Sequence, residues 1–157
     1  MFKKFKPFIV QILIALSVGG LSALVTRGNM DFYSHINKPF LSPPSWLFPI
    51  VWTILFVLMG ISAGRIIQKN NQFPKESSEA ISIYYLSLFV NFFWSIIFFN
   101  LRWFLLAFLW LLLLWVLVLA TILKYRKISP LAATLQIPYL AWVTFAGYLN
   151  LMIFLLN

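Results

Sequence analysis

Long stretches without charged residues divide the chain into five segments. Uncharged runs of 20, 26, 22, 21 and 30 residues follow Lys6, Lys38, Glu79, Arg102 and Lys127, respectively. An α-helix rises about 1.5 Å per residue, so about 20 residues cross a hydrocarbon core about 30 Å thick. The pattern therefore predicts five transmembrane helices, at about residues 7–26, 44–67, 79–100, 103–124 and 129–156.

A transmembrane β-barrel is the alternative architecture, and the pattern argues against it. Barrel strands are about 10 residues long and alternate apolar with polar residues. The stretch from Leu105 to Leu123 is almost continuously apolar and does not alternate. Helices satisfy their own backbone hydrogen bonds, as a bilayer requires. The expected fold class is thus an all-α membrane protein, a five-transmembrane-helix bundle forming one domain over residues 1–157.

Composition excludes two broad classes of protein. Hydrophobic residues make up 62% of the 157 residues, charged residues only 10%, and the mean hydropathy is +0.93. Soluble domains average about 45–50% apolar and about 25% charged residues. A soluble globular enzyme and a disordered chain are therefore both excluded. Because the chain has no Cys, disulfides, thiolate catalysis and Cys-ligated metals are excluded as well.

Basic residues are distributed unequally between the two ends of the predicted bundle. Nine lie at the end that holds the N-terminus, namely Lys3, Lys4, Lys6, Arg65, Lys69, Lys75, Lys124, Arg126 and Lys127. Only Arg27, Lys38 and Arg102 lie at the other end. The positive-inside rule predicts a multi-pass protein of the cell membrane with a cytoplasmic N-terminus and an external C-terminus. The net charge of +9 indicates contact with anionic lipid headgroups. Binding of nucleic acid is not favoured, because the basic residues form no continuous stripe.

Proline and small residues mark the expected helix starts and contacts. Pro43-Pro44 and Ser129-Pro130 predict the starts of helices 2 and 5. Pro138 is expected to kink helix 5. The loop before helix 2, about residues 27–43, is long for a compact bundle. Long loops of this kind often act as lids over a site. Small residues recur every four positions at Ala15, Gly19 and Ala23 and at Gly60 and Gly64, a pattern typical of closely packed membrane helices.

Ionisable residues are missing from the middle of every predicted span. Such residues normally mark pumps, proton relays and ion paths, so a proton-coupled or ion-coupled transporter is not expected. Glu76 and Glu79 are interpreted as solvated charges near a helix start. His35 is interpreted as a solvated loop histidine, with a role as axial metal ligand or general base as the alternative. No metal site is predicted, because no cluster has metal-ligand spacing.

Three predicted helices each carry a face of aromatic and neutral polar residues. These faces comprise Trp46, Pro49, Trp52, Thr53 and Phe56 on helix 2, Ser87, Asn91, Trp94, Ser95 and Phe98 on helix 3, and Tyr139, Trp142, Ala146 and Asn150 on helix 5. Facing one another, they would enclose an apolar pocket with few polar contacts, open toward loop 1. A packed core without a ligand explains the periodicity equally well.

The basic residues near loop 1 allow two interpretations. Arg27, Lys38 and Arg102 outnumber Asp31 at that end, and such a rim would attract a ligand with an apolar body and carboxylates. In the second interpretation, these three side chains bind no ligand. Their charged ends extend to the membrane interface while their aliphatic stems cover apolar surface.

Three stretches of the sequence carry a family resemblance, namely residues 38–53 (KPFLSPPSWLFPIVWT), Asn91 and Trp94 with Phe98-Phe99, and residues 129–150 from Ser129-Pro130 through Pro138-Tyr139 to Leu149-Asn150. In these stretches the chain resembles the TspO/translocator protein (tryptophan-rich sensory protein) family. The resemblance implies a five-helix bundle, usually a homodimer and often through helix 3. It also implies a pocket that binds porphyrins and related hydrophobic ligands beneath loop 1, with no required cofactor.

Matching positions supply the expected ligand-binding residues. The resemblance places Trp52, Asn91, Trp94, Trp142, Phe145 and Ala146 in the pocket and Trp46 near its mouth, and the helix 5 periodicity adds Tyr139. Asn91 and Thr144 are expected to supply neutral hydrogen-bonding groups. Trp52 and Trp142 match the tryptophans that the family links to light-dependent porphyrin breakdown.

The chain departs from the family at several positions. Leu41 and Phe56 stand where the family often has Trp and Tyr, respectively. The family's cholesterol-recognition segment near the C-terminus needs a Tyr and a basic residue, but this chain has Leu151 and ends in Leu155-Leu156-Asn157. The C-terminal segment therefore gives no support for sterol binding.

Three functions remain open from the sequence. The first is a membrane binding protein or sensor for porphyrin-like tetrapyrroles and related hydrophobic ligands, with transport of such ligands as its extension. The second is an enzyme that degrades bound porphyrin in light, with tryptophans as redox relays and catalysis drawing on the ligand's own photochemistry. The third is a structural membrane protein with a dry core. Membrane lipids are expected partners in all three.

Overall fold

A computed structural model describes residues 2–157 as five long helices. The helices are α1 (Phe2–Thr26), α2 (Leu47–Gln68), α3 (Pro74–Ser95), α4 (Phe104–Ile128) and α5 (Pro130–Leu156). Each is long and apolar enough to cross a membrane, and residues 2–157 contain no strand. This confirms the prediction of an all-α bundle with five membrane-spanning helices.

The helix ends differ from the predicted ones. A stretch without charged residues marks only the part of a helix that crosses the membrane, and the helix itself can be longer. Phe2 begins α1, Pro74 begins α3, and α4 continues to Ile128, so charged turns extend these helices beyond their apolar windows. Conversely, α2 begins only at Leu47, whose N–H donates to the Pro44 carbonyl in a turn (3.0 Å). Ser129 lies just before α5 and caps it, accepting a hydrogen bond from Ala132 N (3.3 Å).

Close backbone contact joins α1 to α2 along half their length. Gly60 lies against the backbone of Ile12, and Gly64 lies against Phe8, whose Cα would be 2.8 Å from an added Cβ. One turn further along α1, Ala15 is fully buried. The small residues therefore allow two helices of the same chain to approach closely, a principal source of attraction between helices in lipid.

The buried core lies between α2, α3, α4 and α5, and α1 packs on its outside. Met59, Leu114 and Val143 are almost fully buried in this core. Within the core, Ser62 Oγ of α2 donates to the Ala132 carbonyl of α5 at 2.7 Å. By contrast, only three residues of α1 are buried, namely Gln11, Ala15 and Thr26. Helix α1 therefore presents most of its surface to lipid.

Loop 1, residues 27–46, contains two short 3₁₀ turns, Arg27–Asn29 and Asp31–Ser34. Hydrogen bonds fasten the loop to the C-terminal half of α5. Asn37 N donates to Asn157 Oδ1 (3.1 Å), Asn157 Nδ2 donates to the Asn37 carbonyl (2.8 Å), and Tyr148 OH donates to the Phe40 carbonyl (2.9 Å). This loop therefore covers one end of the bundle, which we call the loop 1 end.

A π-helical segment, Ile96–Asn100, extends α3 toward the same end. Asn100 Oδ1 accepts a hydrogen bond from Asn29 Nδ2 at 2.9 Å, and Asn100 Nδ2 donates to the Val25 carbonyl at 3.3 Å. The end of α3 is thereby tied to the junction of α1 and loop 1.

Gly60→Ala is expected to lower the melting temperature of the protein in detergent, because an added Cβ would overlap the Ile12 backbone. Overpacking of this kind costs about 1–3 kcal/mol. Gly147→Ala is the matched control, since its Cβ would lie 3.9 Å from Leu111 Cδ2 and alanine favours a helix over glycine. Thermal melting would contradict the α1–α2 packing if Gly60→Ala proved as stable as Gly147→Ala.

Candidate functional site

A cavity of about 400 Å³ lies at the loop 1 end, between α1, α2, α3 and α5. Its size falls within the range of small-molecule sites, about 300–1,000 Å³. Loop 1 contributes Met30 and Tyr33 to its lining. The cavity is therefore bounded by four helices and partly covered by the loop.

Aromatic rings from three helices form much of the cavity wall. Trp52 of α2 and Trp142 of α5 lie perpendicular to each other, with their ring centroids 6.5 Å apart. Trp94 of α3 stacks on Phe98, with a centroid separation of 5.2 Å, and Phe48 packs against Trp142 at 5.9 Å. The wall thus presents several flat apolar surfaces to whatever occupies the space.

Two buried amides fix the positions of these walls. Asn91 Nδ2 donates to Tyr139 OH at 2.6 Å, which links α3 to α5. Asn150 Oδ1 accepts from Trp94 Nε1 at 3.0 Å, while Asn150 Nδ2 donates to the Phe104 carbonyl at 2.8 Å. Because buried amides need such partners, these bonds connect α3, α4 and α5 and orient the Trp94 indole.

The structure brings five of the eight expected ligand-binding residues to the cavity. Trp52, Asn91, Trp94, Trp142 and Ala146 all line it. They come from α2, α3 and α5, the three helices whose aromatic faces the sequence singled out.

The other three expected residues lie outside the lining. Trp46 precedes α2 and is 66% exposed. Tyr139 is buried behind Asn91, to which it is hydrogen-bonded. Phe145 packs against the far side of Trp142, with ring centroids 5.5 Å apart. Tyr139 and Phe145 thus support lining residues from behind.

Thr144 is also outside the cavity, contrary to its expected role as a hydrogen-bonding group there. It is exposed on α5, where its hydroxyl accepts a hydrogen bond from Trp115 Nε1 at 2.8 Å. The reason is helical geometry, because Thr144 lies two positions from both Trp142 and Ala146 and so points away from their face.

Sequence reasoning missed the α1 wall of the cavity. Six α1 residues line it, namely Leu16, Gly19, Gly20, Ser22, Ala23 and Thr26. The sequence pattern predicts a helix-packing surface at positions 19 and 23. Gly19 does pack, since its Cα faces the Phe56 ring, but Gly20 and Ala23 are exposed and border the cavity.

Charged side chains do not contribute to the cavity lining within residues 2–157. Instead, Lys38 Nζ donates to the Tyr33 carbonyl at 2.8 Å and lies 4.9 Å from the centre of the Tyr33 ring. The Arg102 guanidinium lies over the Phe32 ring at 4.5 Å. Burial raises the pKa of Tyr33, whose hydroxyl therefore stays neutral at physiological pH. The cavity environment is uncharged.

The remaining ionisable candidates lie away from the cavity. His35 Nδ1 is 3.0 Å from the Asp31 carbonyl, in an exposed turn. Glu79 pairs with Lys124 at 3.7 Å between largely exposed side chains. Across residues 2–157, no three His, Cys, Asp or Glu residues are close enough to hold a metal ion. The arrangement is suited to binding a flat, neutral, apolar molecule.

Comparison with known proteins identifies relatives along nearly the whole chain. The chain is 37% identical over 148 residues to the "Tryptophan-rich protein TspO" of Chlorobaculum tepidum, covering 94% of this chain and 92% of the relative. It is 37% identical over 136 residues to the "Translocator protein" of Bos taurus, covering 85% and 80%, respectively. It is 33% identical over 127 residues to the "Tryptophan-rich sensory protein" of Cereibacter sphaeroides, covering 81% and 77%.

The family comparison agrees with these relatives and with the resemblance noted from the sequence motifs. Residues 11–156 match the TspO/MBR family, a span that includes α2 to α5, α1 from Gln11 onward and every residue of the cavity lining. Together with five apolar helices of spanning length, this match shows that the chain is an integral multi-pass membrane protein of the TspO/MBR family.

Proposed function

We propose that this protein binds porphyrin-like tetrapyrroles and related flat hydrophobic ligands in the cavity, and that it acts as a membrane binding protein or sensor. The observation that supports this most strongly is the cavity itself, in which Trp52, Trp94 and Trp142 surround an uncharged space. The names of the Cereibacter sphaeroides and Bos taurus relatives, sensory protein and translocator protein, fit sensing, with transport of the ligand as its extension.

The indole rings supply the main attraction for such a ligand. An aromatic pair in an offset or edge-to-face arrangement contributes about 0.5–1.5 kcal/mol beyond the area that it buries. Asn91 adds a neutral polar group, because its Nδ2 is engaged by Tyr139 while its side-chain oxygen can accept a hydrogen bond from a ring N–H. The ligand is therefore held by contacts that require a flat shape and no charge.

Carboxylates on a tetrapyrrole need a different environment from the ring. Burying an unpaired carboxylate is costly, and the residues that line the cavity carry no charge. In the proposed complex the ring lies among the indoles and its carboxylates extend toward water at the loop 1 end. Arg27 and Lys38 are both exposed there.

The proposed orientation places the cavity in the outer half of the membrane. The end with nine basic residues faces the cytoplasm, and the loop 1 end faces outward. We further propose a homodimer that forms through α3, on which Leu86 and Phe89 are exposed apolar residues.

Trp142→Ala is expected to weaken the binding of protoporphyrin IX at least tenfold, or about 1.4 kcal/mol, because one cavity wall is lost. Quenching of tryptophan fluorescence during titration measures the affinity, and thermal melting checks that the variant is folded. Trp103→Ala is the matched control, since Trp103 is 58% exposed and outside the cavity. Equal affinities of the two folded variants would rule out Trp142 as a binding residue.

Light-dependent degradation of the bound porphyrin is a second candidate function, favoured by the position of two tryptophans. Trp52 and Trp142 both line the cavity, within contact of each other. Indoles so placed would touch a bound ring and relay electrons to or from its photoexcited state. The degradation itself would then draw on the photochemistry of the bound ligand.

Illumination of the protoporphyrin complex in air tests this second function. If the indoles act as relays, the double variant Trp52→Phe/Trp142→Phe is expected to form less than a third of the ligand-derived product formed by the unsubstituted protein at equal occupancy. Absorbance and mass spectrometry measure the product, with dark samples and Trp103→Phe as controls. Product at the unsubstituted yield in the double variant would exclude the relay role.

A further inference from the structure

The exposed part of the cavity lining is confined to one side. Six lining residues are exposed, namely Gly20, Ala23, Met30, Ser45, Pro49 and Thr53. All belong to α1, α2 or the loop 1 segments next to them. By contrast, the lining residues from α3 and α5 are buried or half-buried. The opening of the cavity thus lies between α1, α2 and the adjoining segments of loop 1, whereas the walls from α3 and α5 are covered.

The position of this gap along the helices places it within the bilayer. Gly20 lies six residues before the end of α1, and Thr53 lies six residues after the start of α2. At 1.5 Å per residue, both are about 9 Å from the helix ends. That depth corresponds to the hydrocarbon of the leaflet on the loop 1 side and not to its water interface.

The chemistry of the rim suits contact with acyl chains. Gly20, Ala23 and Pro49 carry no polar side-chain atoms. The Thr53 hydroxyl donates to the Pro49 carbonyl at 2.7 Å, so it does not face lipid as an unpaired donor. Ser45, the other exposed lining residue with a hydroxyl, belongs to loop 1, so an apolar molecule dissolved in the bilayer would meet no unpaired polar side chain at Gly20, Ala23, Pro49 or Thr53.

The α1–α2 contact ends where the gap begins. The helices touch at Gly64, Gly60 and Gly19, where Gly19 faces the Phe56 ring. One residue further, a Cβ on Gly20 would have no atom within 4 Å. Gly19 thus faces α2, whereas Gly20, which also lines the cavity, faces open space.

The direct route from water is covered and fastened. Loop 1 is tied to α5 through Asn37 with Asn157 and through Phe40 with Tyr148. These hydrogen bonds hold the middle of loop 1 in place over the cavity, whereas Gly20 and Thr53 border the cavity from exposed positions on α1 and α2.

We propose that the gap between α1 and α2 is a lateral portal through which apolar ligands pass between the bilayer and the cavity. This inference rests on the proposed function, which identifies the ligand. It adds that the ligand reaches the cavity from the bilayer. The portal requires only that Gly20 and Thr53 border an unobstructed path for a lipid-dissolved molecule.

The first test blocks the portal and measures the rates of ligand exchange. Protoporphyrin IX dimethyl ester, which is uncharged, is dissolved in phosphatidylcholine vesicles containing the full chain, and stopped-flow tryptophan quenching gives its association and dissociation rates. Gly20→Phe is expected to slow both at least tenfold. Slower dissociation is the diagnostic result, because loss of a binding contact would accelerate it. Thr53→Phe, on the opposite rim, provides a second blocking variant should Gly20→Phe fail to fold.

Two control variants separate the portal from other routes. Gly28→Phe adds the same side chain at a glycine that also has open space around it but does not line the cavity, and its rates should match those of the unsubstituted protein. Asn37→Ala loosens loop 1, and its rates should remain within about twofold. Faster exchange in Asn37→Ala, together with unchanged rates in Gly20→Phe, would overturn the portal and favour access beneath the loop.

A second readout does not depend on porphyrin binding. Because the chain lacks Cys, Ala146→Cys creates a single thiol on the α5 wall of the cavity. Bilayer-dissolved N-dodecylmaleimide should label it at least tenfold more slowly when Gly20→Phe is added, and equal labelling would overturn the portal. Gated labelling without any binding of the porphyrin ester would support the portal and contradict the proposed ligand. If the porphyrin ester binds but Gly20→Phe changes neither its exchange rates nor the labelling of the thiol, the proposed ligand would be supported and the portal contradicted.

Discussion

Hydrocarbon supplies no hydrogen-bond partner, and every structural feature of this protein follows from that constraint. It forces the backbone into helices and leaves their association to close packing and internal hydrogen bonds. Gly60 and Gly64 provide the packing by letting α1 lie against α2. Asn91 and Asn150 provide the hydrogen bonds by linking α3 to α5 and α5 to α4. The aromatic side chains of α2, α3 and α5 line the cavity on this framework.

The same constraint underlies the ligand class that we propose for the cavity. A charged group would be costly there without a partner, and the lining offers none. Flat indole surfaces and neutral amides remain, so the proposed recognition would depend on shape and stacking. Because α1 contributes small side chains, one side of the cavity stays open toward lipid, which supplies molecules of this kind. In this proposal the cavity and the lipid from which its ligand would come are both apolar.

The sequence was sufficient for the number of helices and for much of three cavity walls. Charge-free windows located the spans, and helical periodicity placed Trp52, Trp94 and Trp142 on inward faces. Trp46 lies outside the lining because it precedes α2 and is exposed, next to the lining residue Ser45. Helical periodicity missed the α1 wall because Gly20 and Ala23 carry no chemical signal of their own. Only the three-dimensional arrangement distinguishes a small residue that packs, such as Gly60, from one that borders a space.

The position of a bound ring tests the central claim most directly. Crystals of the protein grown with zinc protoporphyrin would locate the metal through its anomalous scattering, independently of how the chain is built. The proposed function requires the zinc peak inside the cavity, among Trp52, Trp94 and Trp142. A peak on the lipid-facing surface, with the cavity occupied by something else or collapsed, would contradict it.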